Sequence, residues 1–218
     1  MEAGLSNIDG SYRVEIARKA IHFCSLLIPI LYFFVNKENA LLLLVPVTII
    51  FIGVDVARYY SQPLQQWFLQ LFGWLLRKHE TDTKRKRLNG ASYVLISATI
   101  CVIVFPKLIT LSCFSVLIIS DLTAALVGKR FGRHRFFSKS LEGSLAFLFS
   151  GIIVILLTPK VEYHLTEYLI GVIAVGIGMI VEALPISVDD NLSIPLTVGV
   201  TMWLLYFLFL PSSNIYIL

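Results

Sequence analysis

The stretch from Ser120 to Ser144 concentrates residues that could do chemistry: S-D-L-T-A-A-L-V-G-K-R-F-G-R-H-R-F-F-S-K-S-L-E-G-S. A long apolar run ends in Asp121. Ala124, Ala125 and Gly128 follow at helical spacing, so one carboxylate shares a face with small residues. A basic loop comes next, with Lys129, Arg130, Arg133, Arg135 and Lys139 interrupted by Gly132, and Glu142 and Gly143 then open another apolar run. An acid, a bare backbone patch, a cluster of cations and a second acid suit a polyphosphate held with a divalent metal. The cations meet phosphate oxygens, the glycines admit backbone N–H groups, and the carboxylates hold the metal. A positive-inside loop between two membrane helices would carry the same cations. The acids at the helix ends favour the site.

Further candidates lie at other segment ends. In E-I-A-R-K-A-I-H, Glu15, Arg18, Lys19 and His22 fall at i, i+3, i+4 and i+7 on one helix face. That face can bind phosphate or position a metal, or it can anchor the helix at the interface with an internal ion pair. Asp55 and Arg58, in G-V-D-V-A-R, can pair with each other or divide between metal and phosphate. Gly171, Ala174, Gly178 and Glu182 form a smooth stripe that ends in an acid. In P-I-S-V-D-D-N, one of Asp189, Asp190 and Asn191 should cap the next helix, which leaves the others available for metal or nucleotide.

These residues must be positioned by membrane helices. Of 218 residues, 57% are hydrophobic and 15% are charged, with a mean hydropathy of +0.81. Soluble domains carry about 25% charge. The expected fold is an all-α, polytopic transmembrane bundle, a single integral membrane domain over residues 1–218. About seven spans follow from the roughly 20-residue criterion: Arg18–Val35, Asn39–Val56, the short Ser92–Phe105, Leu108–Val127, Leu141–Leu157, Tyr168–Leu184 and Leu192–Leu210. Residues 63–78 carry a one-sided apolar stripe and read as an amphipathic helix in the interface. Cys24, Cys101 and Cys113 lie in apolar runs without C-x-x-C spacing, which argues against disulfides and zinc. The first dozen residues include Glu2 and Asp9 and lack a basic n-region, so no cleavable leader is expected.

Orientation follows from lysine and arginine. With the N-terminus inside, the inner segments take the cations from Arg13 to Lys19, Arg58, those from Arg77 to Arg87, and those from Lys129 to Lys139. The outer segments take only Lys37, Lys107 and Lys160. Asp55, Asp121, Glu142, Glu182, Asp189 and Asp190 then all sit at inner span boundaries. A carboxylate at mid-membrane costs roughly 2.5–3.5 kcal/mol on insertion scales, and converging acids repel unless a cation joins them. Mg²⁺ with a nucleoside triphosphate supplies that countercharge. The chain has no G-x-x-x-x-G-K-[ST] loop, since G-K-R-F-G is too short and comes after a membrane helix, and it lacks the protein-kinase motifs. A phosphoryl-transfer enzyme here needs a nucleotide site built by membrane helices.

The ordered set of motifs resembles the CTP-dependent lipid-alcohol kinases: dolichol kinase, phytol kinase and the CTP-dependent diacylglycerol kinase. It comprises E-x-x-R-K-x-x-H at Glu15 to His22, S-D-x-x-A-A-x-x-G-K-x-F-G at Ser120 to Gly132, K-S-x-E-G at Lys139 to Gly143, and E-A with D-D-N from Glu182 to Asn191. The resemblance implies CTP as donor, Mg²⁺ as cofactor, a membrane lipid alcohol as acceptor and a lipid monophosphate as product. It implies catalytic roles for Asp121, Glu142 and Glu182, metal ligation by Asp121, Glu142 and Asp189, and nucleotide contacts from Lys129, Lys139, Gly143 and Asn191. Ala125, Gly128, Gly132 and Ser140 within the motifs, with Arg133 beside them, join the nucleotide candidates. The site is expected on the cytoplasmic face of a prokaryotic plasma membrane, with no nucleic-acid partner. The related phosphatidate cytidylyltransferases are the alternative, although the chain lacks their H-G-G and D-R-x-D elements. A transporter is a third reading, since intramembrane acids also mark ion pathways. Here the acids gather at one boundary and not at the midplane.

Overall fold

The computed structural model describes residues 16–73 and 88–216. Helix α1 (Ile16–Phe34) turns at Ser25 and Leu26 before its second half. It is followed by α2 (Lys37–Ala57), α3 (Gln62–Phe72), α4 (Gly90–Val104) and α5 (Lys107–Phe131). A two-stranded antiparallel hairpin, β1 (Arg135–Phe136) and β2 (Lys139–Ser140), leads into α6 (Leu141–Leu157), α7 (Leu165–Ala183) and α8 (Asp190–Phe209). Five of these helices, α1, α2, α5, α7 and α8, are long and apolar enough to cross a membrane. Helices α4 and α6, with 15 and 17 residues, are shorter apolar helices. At 1.5 Å per residue they reach about 22 and 25 Å.

Helix α5 is the hub. Of its apolar window 72% is buried, against 17% for α1 and for α2. It packs on α1, α4, α6 and α8, while α2 packs on α4 and α7 packs on α6 and α8. A helix that is apolar all round belongs in the centre of such a bundle, and Leu108, Ile109, Val116, Leu117 and Ile118 are fully buried. The small-residue stripe on α7 serves close helix packing: a side chain at Gly171 would strike Ile155 of α6, and one at Gly178 would strike Val198 of α8.

The helix ends obey local chemistry. Asn89 caps α4 by accepting from Ser92 N at 2.9 Å, Ser140 caps α6 through Gly143 N at 3.2 Å, and Asp189 caps α8 through Asn191 N at 3.0 Å. Two segments differ from the sequence expectation. Helix α5 continues past Val127 to Phe131, because Lys129 and Arg130 suit the negative end of a helix dipole. Beyond it the chain forms a hairpin in place of an open loop, with Phe137 at its turn in a left-handed conformation, φ 50°. Helix α3 covers the expected amphipathic segment to Phe72; residues 74–78 of that segment, the basic stretch Thr81–Arg87, and Glu15 lie outside the described residues. Cys24, Cys101 and Cys113 are all free thiols.

Candidate functional site

The charged residues separate to the two ends of the bundle. Lys37 at the start of α2 donates to Ile103 O at the end of α4, at 2.6 Å, and Lys107 at the start of α5 lies over the Tyr32 ring of α1. Lys160, between α6 and α7, shares that end. The opposite end carries the hairpin, and it gathers nearly all the predicted site residues.

Asp121, almost three turns before the end of α5, is buried and ion-pairs with Lys19 of α1, whose ammonium also donates to the Asp121 main-chain carbonyl at 3.2 Å. His22 Nε2 lies 3.7 Å from the same carboxylate. Lys19 and His22, two of the four residues on the expected α1 face, therefore converge on the central acid, and Arg18 lines the same cavity. A second cluster stands beside it. Lys139, from β2, bridges Glu182 Oε1 of α7 at 2.9 Å and Asp190 Oδ2 of α8 at 3.0 Å. Burial draws the Lys139 ammonium downward, but Asp190 and Glu182 outweigh it and hold the group above the ordinary lysine range. Glu182 is 3% exposed, and its Oε2 has no hydrogen-bond partner among the described residues. The two clusters communicate: Asp121 lies within Coulombic reach of Lys139, and Glu182 within reach of Asp121.

A cavity of about 530 Å³ opens onto the first cluster. Its polar end is formed by Arg18, Lys19, His22, Asp121 and Asn191, and its walls are mostly apolar side chains of α1, α2, α3 and α4. Local structure explains each wall. Asp55 and Arg58 pair at 2.7 Å, fully buried, and Asp55 Oδ2 accepts from Asn89 N at 2.6 Å and Ser92 Oγ at 3.0 Å. The Arg58 guanidinium stacks on Tyr59 and on Phe68 of α3, each 4.8 Å from the ring centre. This knot ties the end of α2 to the start of α4 and to α3, and it is where the Asp55–Arg58 spacing finds its use.

Other expected contacts are arranged differently. Glu142 accepts from the hairpin, with His134 Nδ1 at 2.8 Å and His134 N at 3.2 Å, and does not line the cavity. Asp189 Oδ1 is engaged by both nitrogens of Asn191. Among the described residues no three His, Cys, Asp or Glu side chains form a ready cation cage, and of the three expected ligands only Asp121 reaches the cavity. Gly128 and Gly143 mark where α5 and α6 touch. A side chain at Gly143 would meet Ala124 O at 2.9 Å and Gly128 Cα at 3.2 Å, and one at Gly128 or Gly132 would strike Ser140. Ala125 is half-buried one turn below. Lys129, Arg130, Arg133 and Arg135 ring the hairpin as exposed cations.

The opposite end holds a buried network that the sequence reading missed. Glu167 accepts from Val161 N (2.7 Å), Glu162 N (2.9 Å), His164 N (3.1 Å) and Tyr206 OH (3.0 Å). Lys160 donates to Ile155 O and Thr158 O at the end of α6. The signal for it in the sequence is H-x-x-E ahead of an apolar run, the spacing of a capping box.

Apolar helices of this length make the chain an all-α integral membrane protein. It belongs to the same family as the uncharacterized protein RP860 of Rickettsia prowazekii (strain Madrid E), with 30% identity over 185 residues that span 84% of this chain and 90% of that protein. No family model matches the chain, and no solved structure does.

Proposed function

We propose that the protein is a CTP-dependent lipid-alcohol kinase with seven membrane spans, its N-terminus and hairpin end facing the cytoplasm. The observation that carries this reading is the apolar cavity that ends at a buried carboxylate, Asp121, flanked by Lys19 and His22. An amphipathic acceptor has an apolar body and one polar end, and so has this cavity. The choice of CTP rests on the motif resemblance; the geometry supports a polyphosphate, since Lys19 pairs with buried Asp121, Lys139 bridges Glu182 and Asp190, and Arg130, Arg133 and Arg135 are exposed at the hairpin end.

In this reading the acceptor oxygen forms a bond to the γ-phosphorus. The bond from that phosphorus to the β–γ bridging oxygen breaks, CDP leaves, and the hydroxyl proton passes to a carboxylate of the site. Asp55 and Asp121 both line the cavity, but Asp55 is engaged by Arg58, Asn89 and Ser92, so Asp121 is the carboxylate that meets the hydroxyl. Lys139, held by Glu182 and Asp190, exchanges part of that pairing for phosphate oxygens. Mg²⁺ is bound typically by one or two carboxylates together with substrate phosphates. Asp121, and Glu182 with its unpartnered buried Oε2, fit that need; when bound, the ion would offset charge on the β- and γ-phosphates. The test is incubation of purified protein with a panel of lipid alcohols and γ-labelled CTP. Label in lipid is expected. Label in free pyrophosphate with a lipid-phosphate acceptor indicates cytidylyl transfer, and turnover of neither kind overturns the enzymatic reading.

A further inference from the structure

The cavity's walls say how an acceptor reaches it. The cavity lies between α1 and α2, lined by Ile21, His22 and Ser25 of the one and by Ile50, Phe51 and Val54 of the other. Only 17% of each helix's apolar window is buried, and in a bilayer the exposed apolar side chains of both helices meet hydrocarbon. Val94 of α4 also lines the cavity, with Phe72 of α3 across the hairpin end. Ile21 and Ile50 are 53% and 61% exposed. Along α1 the lining runs from Arg18 to Ser25, about 10 Å at 1.5 Å per residue.

We infer that the acceptor's hydrocarbon chain enters this cavity sideways from the bilayer between α1 and α2, and that the protein reads only the roughly 10 Å of chain next to the polar group. The remainder of the chain stays in lipid. A packed apolar helix or a second copy of the protein would cover the cavity but leave Lys19, His22 and Asp121 facing hydrocarbon, a cost that a chain with one polar end avoids. The assignment of that polar end as a phosphorylated hydroxyl rests on the kinase reading; the chain's route does not. Selectivity should therefore respond to bulk near the polar group and not to total length.

The experiment uses the full chain in lipid nanodiscs with a long-chain alcohol that carries a photoreactive diazirine beside its hydroxyl. Label is expected on peptides of α1 and α2. Ala91→Trp, at an exposed cavity-lining position on α4, should reduce both label and lipid phosphorylation about tenfold or more, the scale on which a misfit group is rejected. Gly53→Trp, with open space around it on the same α2 helix, should change neither. Val54→Trp serves if Ala91→Trp does not insert. Label spread evenly over all lipid-facing helices, or undiminished by both cavity variants, overturns the inference. Specific α1–α2 label with no phosphate transfer to any lipid alcohol keeps the route and removes the kinase reading. Phosphorylated lipid with label elsewhere does the reverse.

Discussion

Asp121 and Lys19 make opposite demands on stability and function, and a double substitution separates them. The two side chains are 12% and 7% exposed. Removing one partner of a buried pair costs roughly 3–5 kcal/mol, because the other charge is left uncompensated. In Asp121→Asn the Lys19 bond to the main-chain carbonyl survives, so the expected loss lies near the lower bound, about 3 kcal/mol. Lys19→Met strands the carboxylate, with a similar loss. The double variant Lys19→Met/Asp121→Asn removes both charges and should recover most of the stability, since replacing an entire buried pair is often neutral. The assay is thermal unfolding of all four proteins, with and without CTP and Mg²⁺. CTP at a hundredfold excess over its dissociation constant should stabilise wild type by about 2.7 kcal/mol and should stabilise the well-folded double variant little. Equal nucleotide stabilisation of wild type and double variant would refute the placement of this pair in the site. No stabilisation of wild type at saturating nucleotide would weigh against the kinase reading as a whole.

Asp55→Asn should behave as a structural lesion, with a loss of roughly 3–5 kcal/mol in thermal unfolding and unchanged nucleotide affinity in whatever protein remains folded; a stable variant with weakened CTP binding would return Asp55 to the site. Glu142→Gln should insert and fold and keep most of its turnover, since Glu142 is tied to His134 outside the cavity; a loss of about 100-fold would return it to proton transfer. Lys139 is held above the ordinary lysine value, so its contribution to stability is complete below the unfolded pKa of about 10.4 and falls only as pH climbs through the higher folded value. Activity and thermal midpoint should accordingly show no lysine-linked decline up to about pH 10. In a cysteine-free background, a cysteine at Arg133 should be shielded from an impermeant thiol reagent added outside intact cells and one at Tyr163 should react; the opposite pattern inverts the topology.

Local pattern made much of the architecture legible. Apolar runs of the right length located the helices, and the cap expected among Asp189, Asp190 and Asn191 falls on Asp189. The stripe of small residues on α7 found its neighbours because spacing alone determines a helix face. The limits of the basic segment were less legible. Lys129 and Arg130 are compatible with helix, loop and phosphate contact alike, and only packing against α6 at Gly128 and Gly143 decides among them.

Pairing across the fold is the part that periodicity cannot carry. Lys19 and Asp121 are 102 residues apart, and Lys139 and Asp190 are 51 apart. A list of acids at one membrane boundary suggests a single shared metal cluster. The structure instead gives most of them separate partners: Lys19 for Asp121, Arg58 and Asn89 for Asp55, His134 for Glu142, Asn191 for Asp189. Repulsion explains the division, since each buried carboxylate lowers its own cost most by taking a donor of its own. Glu182 is the exception that points back to a ligand. It shares Lys139 with Asp190 and keeps one buried oxygen without a partner among the described residues. That oxygen, on a carboxylate that shares its lysine with a second acid, is where an added cation would find a buried acceptor not yet engaged among the described residues.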